Sequence, residues 1–157
     1  MTTIDGYVKG EQIVLDLDLS VQDGKKVLIT FYDEGENPYE IKKPIPVKIE
    51  NMLHDFVIQT VAHFGTHVQK IILYGSYARG DYRDCSDLDI MVLVDYSKEE
   101  IKKYRSDLSD LSFDIGDKYD LIIISPIMQN IRHFKKWLDC SPFYSNVVKE
   151  GVELYVK

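Results

Sequence analysis

The chain has 157 residues, 45% hydrophobic and 29% charged, which suits one ordinary globular domain with a real core and a small appendage and excludes a disordered chain. Its net charge of −7 and pI near 5.0 argue against general binding to duplex DNA or RNA, because affinity for a phosphate backbone comes mainly from Lys and Arg. With no signal-peptide pattern at the start, no apolar run of bilayer length, and two widely spaced thiols at Cys85 and Cys140, a cytoplasmic protein with reduced cysteines is expected rather than a membrane protein, a disulfide framework or a zinc cluster.

In chain order, residues 7–9, 12–15 and 26–31 read as short strands separated by the turn formers Gly10 and Asp23-Gly24, a β-meander. The charged stretch from Asp33 to Pro46 holds Pro38, Pro44 and Pro46 without helical period and reads as a linker. Residues 1–46 are thus expected to form the appendage and its linker, and residues 47–157 the main domain. From Val47 the period changes: Ile49, Leu53, Phe56, Val57 and Val61 recur at helical spacing up to Gly65. Lys70 to Tyr74 is a short apolar strand, and Leu88 to Val94 a second one, apolar enough to be buried on both faces. Ser97, three residues before Glu100, predicts a capped helix that Ile101, Tyr104, Leu108 and Leu111 carry to about Phe113. Tyr119 to Ile124 reads as a third strand. Ser125-Pro126 and Ser141-Pro142 each place a capping residue ahead of a proline, predicting two closing helices, the last ending at Glu150 with Gly151 as its cap. Residues 152–156 read as a final extended segment. The whole is an α+β chain.

Chemistry concentrates in Leu73-Tyr74-Gly75-Ser76-Tyr77-Ala78-Arg79-Gly80-Asp81 and Cys85-Ser86-Asp87-Leu88-Asp89. A strand ending in Gly-Ser and turning into a helix offers a residue without Cβ, a hydroxyl and free N–H groups, a natural seat for phosphate. Asp87 and Asp89, one residue apart at a strand start, leave the same face of the sheet. Two carboxylates so placed repel unless a cation lies between them, and hard oxygen ligands beside phosphate suit Mg²⁺. Asp120, ahead of Leu121 to Ile124, can supply a third carboxylate at the same edge. The bland readings are strand-start acids for the three Asp residues and an ordinary helix cap for Ser76.

Gly75-Ser76, ten intervening residues, and Asp87-Leu88-Asp89 resemble the signature of the polymerase-β-like nucleotidyltransferases. The longer string Gly-Ser-x-Ala-Arg-Gly…Ser-Asp-x-Asp resembles its minimal nucleotidyltransferase (MNT) branch. The likeness spans Val47 to Tyr155, including the close Pro142-Phe143-Tyr144…Glu150-Gly151-Val152-Glu153-Leu154-Tyr155, and leaves the N-terminal third outside. It implies a small mixed sheet with helices packed on it. It also implies that Gly75 and Ser76 hold the triphosphate of ATP, that Asp87 and Asp89 ligate two Mg²⁺ ions, and that Asp120 completes the metal site. Arg79 matches the family's arginine, either touching phosphate or bracing the loop through nearby carboxylates.

By the same resemblance, small MNT proteins pair with a HEPN-domain toxin and transfer AMP from ATP to one of its tyrosines, the leading expectation here. A small-molecule transferase of the aminoglycoside-modifying kind is the second reading, and an antitoxin acting by contact alone the third. Whether the chain forms a homodimer is left open. His54, His63, His67 and His133 read as surface or satisfied core residues: Phe64 stands where a zinc-protease helix needs Glu. Tyr74 and Tyr77, flanking the motif, could stack on a base but read more simply as packing residues. Phe134 and Trp137 read as core.

Overall fold

The computed structural model of the protein describes residues 6–9, 12–15, 44–120 and 122–157. The chain divides into two units, Met1–Asn37 and Pro38–Lys157. In the first, β1 (Gly6–Lys9) and β2 (Gln12–Leu15) pair antiparallel, with Lys9 opposite Gln12 and Gly6 opposite Leu15. The third strand expected at residues 26–31 lies outside the described residues, as does the linker up to residue 43.

In the second unit, α1 (Val47–Phe64) leads through a 3-10 turn into β3 (Val68–Tyr74). The one-turn helix α2 (Gly75–Arg79) follows directly, and β4 (Leu88–Val94) returns antiparallel to β3, with Tyr74 opposite Asp89. Helix α3 (Lys98–Lys118) crosses to β5 (Ile124–Asn130), which pairs parallel with β4. Helices α4 (Ile131–Trp137) and α5 (Pro142–Glu150) precede β6 (Val152–Val156), which closes the other side by pairing antiparallel with β3. The sheet order is β5-β4-β3-β6.

Burial on both faces of β4 divides the apolar residues into two sets. Leu88, Ile90, Val92 and Val94 share the larger core with Ile71 and Leu73 of β3, with Met52 and Phe56 of α1, and with Leu108 and Ile115 of α3. Met91 and Leu93 point the other way, into a smaller core with Ile72, Phe134 of α4 and Val147 of α5. Thus α1 and α3 cover one face of the sheet, α4 and α5 the other. Phe134 is core as expected, whereas Trp137 is exposed. No helix among the described residues is long and apolar enough to cross a membrane.

The start of α3 follows the sequence closely: the Ser97 hydroxyl accepts from the Glu100 N–H, and the Glu100 carboxylate accepts from the Ser97 N–H. Ser97→Ala is expected to cost about 1 kcal/mol, seen as a melting temperature lower by about 2–4 °C in a thermal scan.

The other end of that helix departs from expectation. α3 runs past Phe113 to Lys118 because Ile115 and Gly116 are buried against the sheet, Gly116 so closely that a Cβ there would stand 2.6 Å from the Ile122 carbonyl oxygen. Tyr119 caps the helix, and the third strand therefore begins at Ile124 rather than at Tyr119. Ser125-Pro126 is consequently not a helix cap but lies inside β5. That strand is at the sheet's edge, where proline's missing N–H forfeits least. The cap of α4 is Asn130, whose side-chain oxygen accepts from the His133 N–H at 2.9 Å. Ser141-Pro142 does open α5, and Gly151 caps it by donating to the Val147 carbonyl.

Candidate functional site

Asp87 immediately precedes β4 and Asp89 is its second residue; alternation places Asp89 on the face of Met91 and Leu93, the face covered by α4 and α5. Gly75 stands beside it. With φ at +72° it occupies the left-handed region, and a Cβ built on it would lie 2.1 Å from Asp89 Oδ2. The turn from β3 into α2 therefore brings bare backbone against the carboxylate. Partial burial, and after it the charge of Asp87, push the Asp89 carboxyl above its ordinary value, with Arg79 opposing. The site holds one carboxylate at a cost that a cation would relieve. Two hard carboxylate ligands with open coordination left for phosphate and water fit Mg²⁺, which commonly takes one or two carboxylates and completes its shell in that way.

The Ser76 hydroxyl makes no hydrogen bond among the described residues and is partly exposed. Arg79 donates to Asp81 at 3.2 Å and to Glu150 at 3.4 Å. Those two contacts, Asp81 foremost, raise its already high pKa and tie α2 to the end of α5. In this state Arg79 braces the loop.

Asp120 sits elsewhere. It follows the cap of α3 with φ at +63°, its side chain is 88% exposed, and Lys48 of α1 pairs with it at 2.5 Å, holding its carboxyl below the usual range. Among the described residues no three acidic, histidine or cysteine side chains are grouped to hold a metal, so Asp120 is not assembled with Asp87 and Asp89. The side chain that β5 brings to the pair is Ser125. It is the ladder partner of Asp89, and its hydroxyl donates to Asp87 Oδ2 at 3.3 Å. Sequence reasoning missed this contact because Ser-Pro is a strong helix-start signal and nothing local marks it as part of a strand.

Tyr77 and Tyr82 stack face to face, centroids 4.3 Å apart and 4° from parallel, so Tyr77 is a packing residue. Tyr74 is half-buried near Asp89, and burial, with a smaller contribution from that charge, pushes its hydroxyl up to about 12. His63 lies 3.5 Å from Asp107, and His67 lies 2.6 Å from Asp95. A recess of about 420 Å³ between α3 and β5 is lined by Phe113, Ile122, Ile124 and Pro126. Ile124 and Pro126 are ladder partners of Leu88 and Ile90, so this recess opens on the sheet face opposite the carboxylates and is not their pocket.

Comparison with known proteins adds the following. The family model described as "Polymerase beta, Nucleotidyltransferase" matches residues 57–157. A Methanocaldococcus jannaschii protein named as a protein adenylyltransferase, MJ0604, is 34% identical over 106 residues, 68% of this chain and 97% of that protein. A second from the same organism, MJ0141, carries the same kind of name and is 37% identical over 87 residues, 55% of this chain and 79% of its own length. Among solved structures, a Sulfolobus solfataricus chain described as a nucleotidyltransferase is 19% identical with a TM-score of 0.42, covering 80% of this chain and 94% of that one. A chain from a toxin-antitoxin structure with AMP-PNP is 21% identical with a TM-score of 0.43, covering 65% and 72%.

Proposed function

The chain belongs to the polymerase β nucleotidyltransferase family, and from that membership we propose that it transfers AMP from ATP to a hydroxyl of a partner protein, a tyrosine of a HEPN-domain toxin in the first instance. The observation that carries this reading is the pair Asp87 and Asp89 with the Gly75 backbone set against it, in a chain similar to proteins named as protein adenylyltransferases.

Asp87 and Asp89 would hold Mg²⁺, whose chemistry is to neutralise phosphate charge and stabilise the entering and leaving oxygens of an in-line displacement. Gly75 leaves the room that the Asp89 carboxylate occupies against the turn, and the Ser76 hydroxyl beside it donates to phosphate oxygens. Ser125 holds the Asp87 carboxylate in orientation, and Arg79, through Asp81 and Glu150, keeps α2 in place. An acceptor oxygen forms the new bond to the α-phosphorus while the bond to the β-phosphate bridging oxygen breaks. Pyrophosphate leaves, and the acceptor's proton passes to solvent. Asp120 enters this scheme only if the Lys48 pair opens, so Asp87 and Asp89 are assigned the metal without it.

The test is incubation of α-labelled ATP and Mg²⁺ with a host lysate and either this protein or its Asp87→Ala/Asp89→Ala variant. Label on one protein band, absent with the variant, is the expected result, and peptide mapping of that band shows whether tyrosine carries it. Label confined to small molecules would move the assignment to a small-molecule transferase. No transfer from any nucleotide, with a partner still bound, would leave an antitoxin that acts by contact.

A further inference from the structure

One aromatic side chain packed against Tyr74 stays well exposed. Phe143, the second residue of α5, sets its ring edge-on to Tyr74, with centroids 5.6 Å apart at 83°, yet remains 44% exposed. Its neighbour Tyr144 is committed, packing against Phe134 at 4.9 Å while its hydroxyl accepts from Gln129 at 2.6 Å. Tyr74 ends β3, and its ladder partner is Asp89, so both side chains lie on one face of the sheet. Phe143 therefore stands one ring beyond the metal-binding side of the site, on the face that α5 covers.

The position of Phe143 is built. Ser141 caps the first turn of α5 and Pro142 fixes its backbone. Val147 anchors the middle of the helix in the smaller core, and the Arg79–Glu150 pair ties its far end to α2. The ring meets Tyr74 edge-on and Tyr144 at a tilt, the latter with centroids 5.6 Å apart at 48°, and what it leaves exposed offers an apolar aromatic surface to a ligand.

We infer that Tyr74 and Phe143 form the nucleobase subsite, in which the base of the nucleoside triphosphate stacks on the exposed part of the Phe143 ring. This rests on the nucleotidyltransferase reading and adds to it where the base goes and how it is read. Stacking recognises a π-face rather than a hydrogen-bond pattern, so ATP and GTP bind alike and pyrimidine nucleotides more weakly.

The experiment measures equilibrium binding of ATP and of inorganic tripolyphosphate, each with Mg²⁺, to the full chain and to Phe143→Ala and Phe143→Trp. The expected result is that Phe143→Ala weakens ATP about tenfold and leaves tripolyphosphate unchanged, which also shows that the variant is folded, while Phe143→Trp keeps ATP affinity. ATP bound equally by wild type and Phe143→Ala, with tripolyphosphate binding intact, would overturn the subsite and leave the transferase reading standing. Failure of wild type to bind either compound would overturn the transferase reading, and the subsite with it.

Discussion

Asp89→Asn is expected to reduce nucleotidyl transfer by about 10²-fold or more and, in metal-free buffer at neutral pH, to melt at a higher temperature than the wild type. The first effect follows from removing one of two charged ligands. The second follows from the environment of the carboxylate. Burial, and then Asp87, raise the Asp89 carboxyl above its ordinary 3.8, so the folded state holds that proton more tightly than the unfolded chain does. Stability is therefore lost as pH rises from the unfolded value through the raised folded value, and at neutral pH the whole cost is present. Asn carries none of it. Thermal scans with chelator across pH should show the two proteins converging on acidification and separating at neutral pH. Mg²⁺ should then raise the wild-type transition and leave the variant's unmoved. A variant that melts lower than wild type without metal would show that Asp89 supports the fold by some contact other than those described.

The parts of this site that could be read in advance are those where local chemistry and the final fold agree. The run Leu88 to Val94 is apolar at every position but Asp89, and it is the strand buried on both faces. Ser97 and Glu100 fulfil the capping pattern to the atom. The alternation that puts Asp87 and Asp89 on one face needs only the strand period. What could not be read was decided by tertiary contact. Leu121 to Ile124 is an apolar run with no period of its own, and what fixes its register is the close approach of Gly116 to the Ile122 carbonyl together with the parallel pairing of Ile124 with Leu88. Because that approach lets α3 run on to Lys118, Asp120 emerges at the helix end beside Lys48, and Ser125 takes the place opposite Asp89. Likewise, nothing local to Arg79 announces Glu150, which is brought to it from 71 residues away by α5.

Gly75→Ala should damage both fold and activity, for two reasons that can be separated. A left-handed φ of +72° costs an L-residue about 1–2 kcal/mol wherever it occurs. The added carbon would also stand 2.1 Å from Asp89 Oδ2 and 3.0 Å from Asp89 Cγ, so the carboxylate must leave its place or the turn must open, an overpacking cost of about 1–3 kcal/mol. Either movement removes Asp89 from the pair, and transfer should fall as far as it does in Asp89→Asn. The two costs are distinguished by repeating the substitution in an Asp89→Ala background, where the clashing oxygen and Cγ are gone and the nearest remaining Asp89 atom, Cβ, is 3.2 Å away. There the stability penalty of Gly75→Ala, measured by denaturant titration, should shrink towards the backbone strain, with only the tight Cβ contact added to it, giving a coupling between the two sites of about 1 kcal/mol or more. Equal penalties in both backgrounds would mean that Gly75 is required for its φ and not for the closeness of its backbone to Asp89. The loss of transfer in Gly75→Ala would then have to come from the altered course of α2 and its Ser76 hydroxyl.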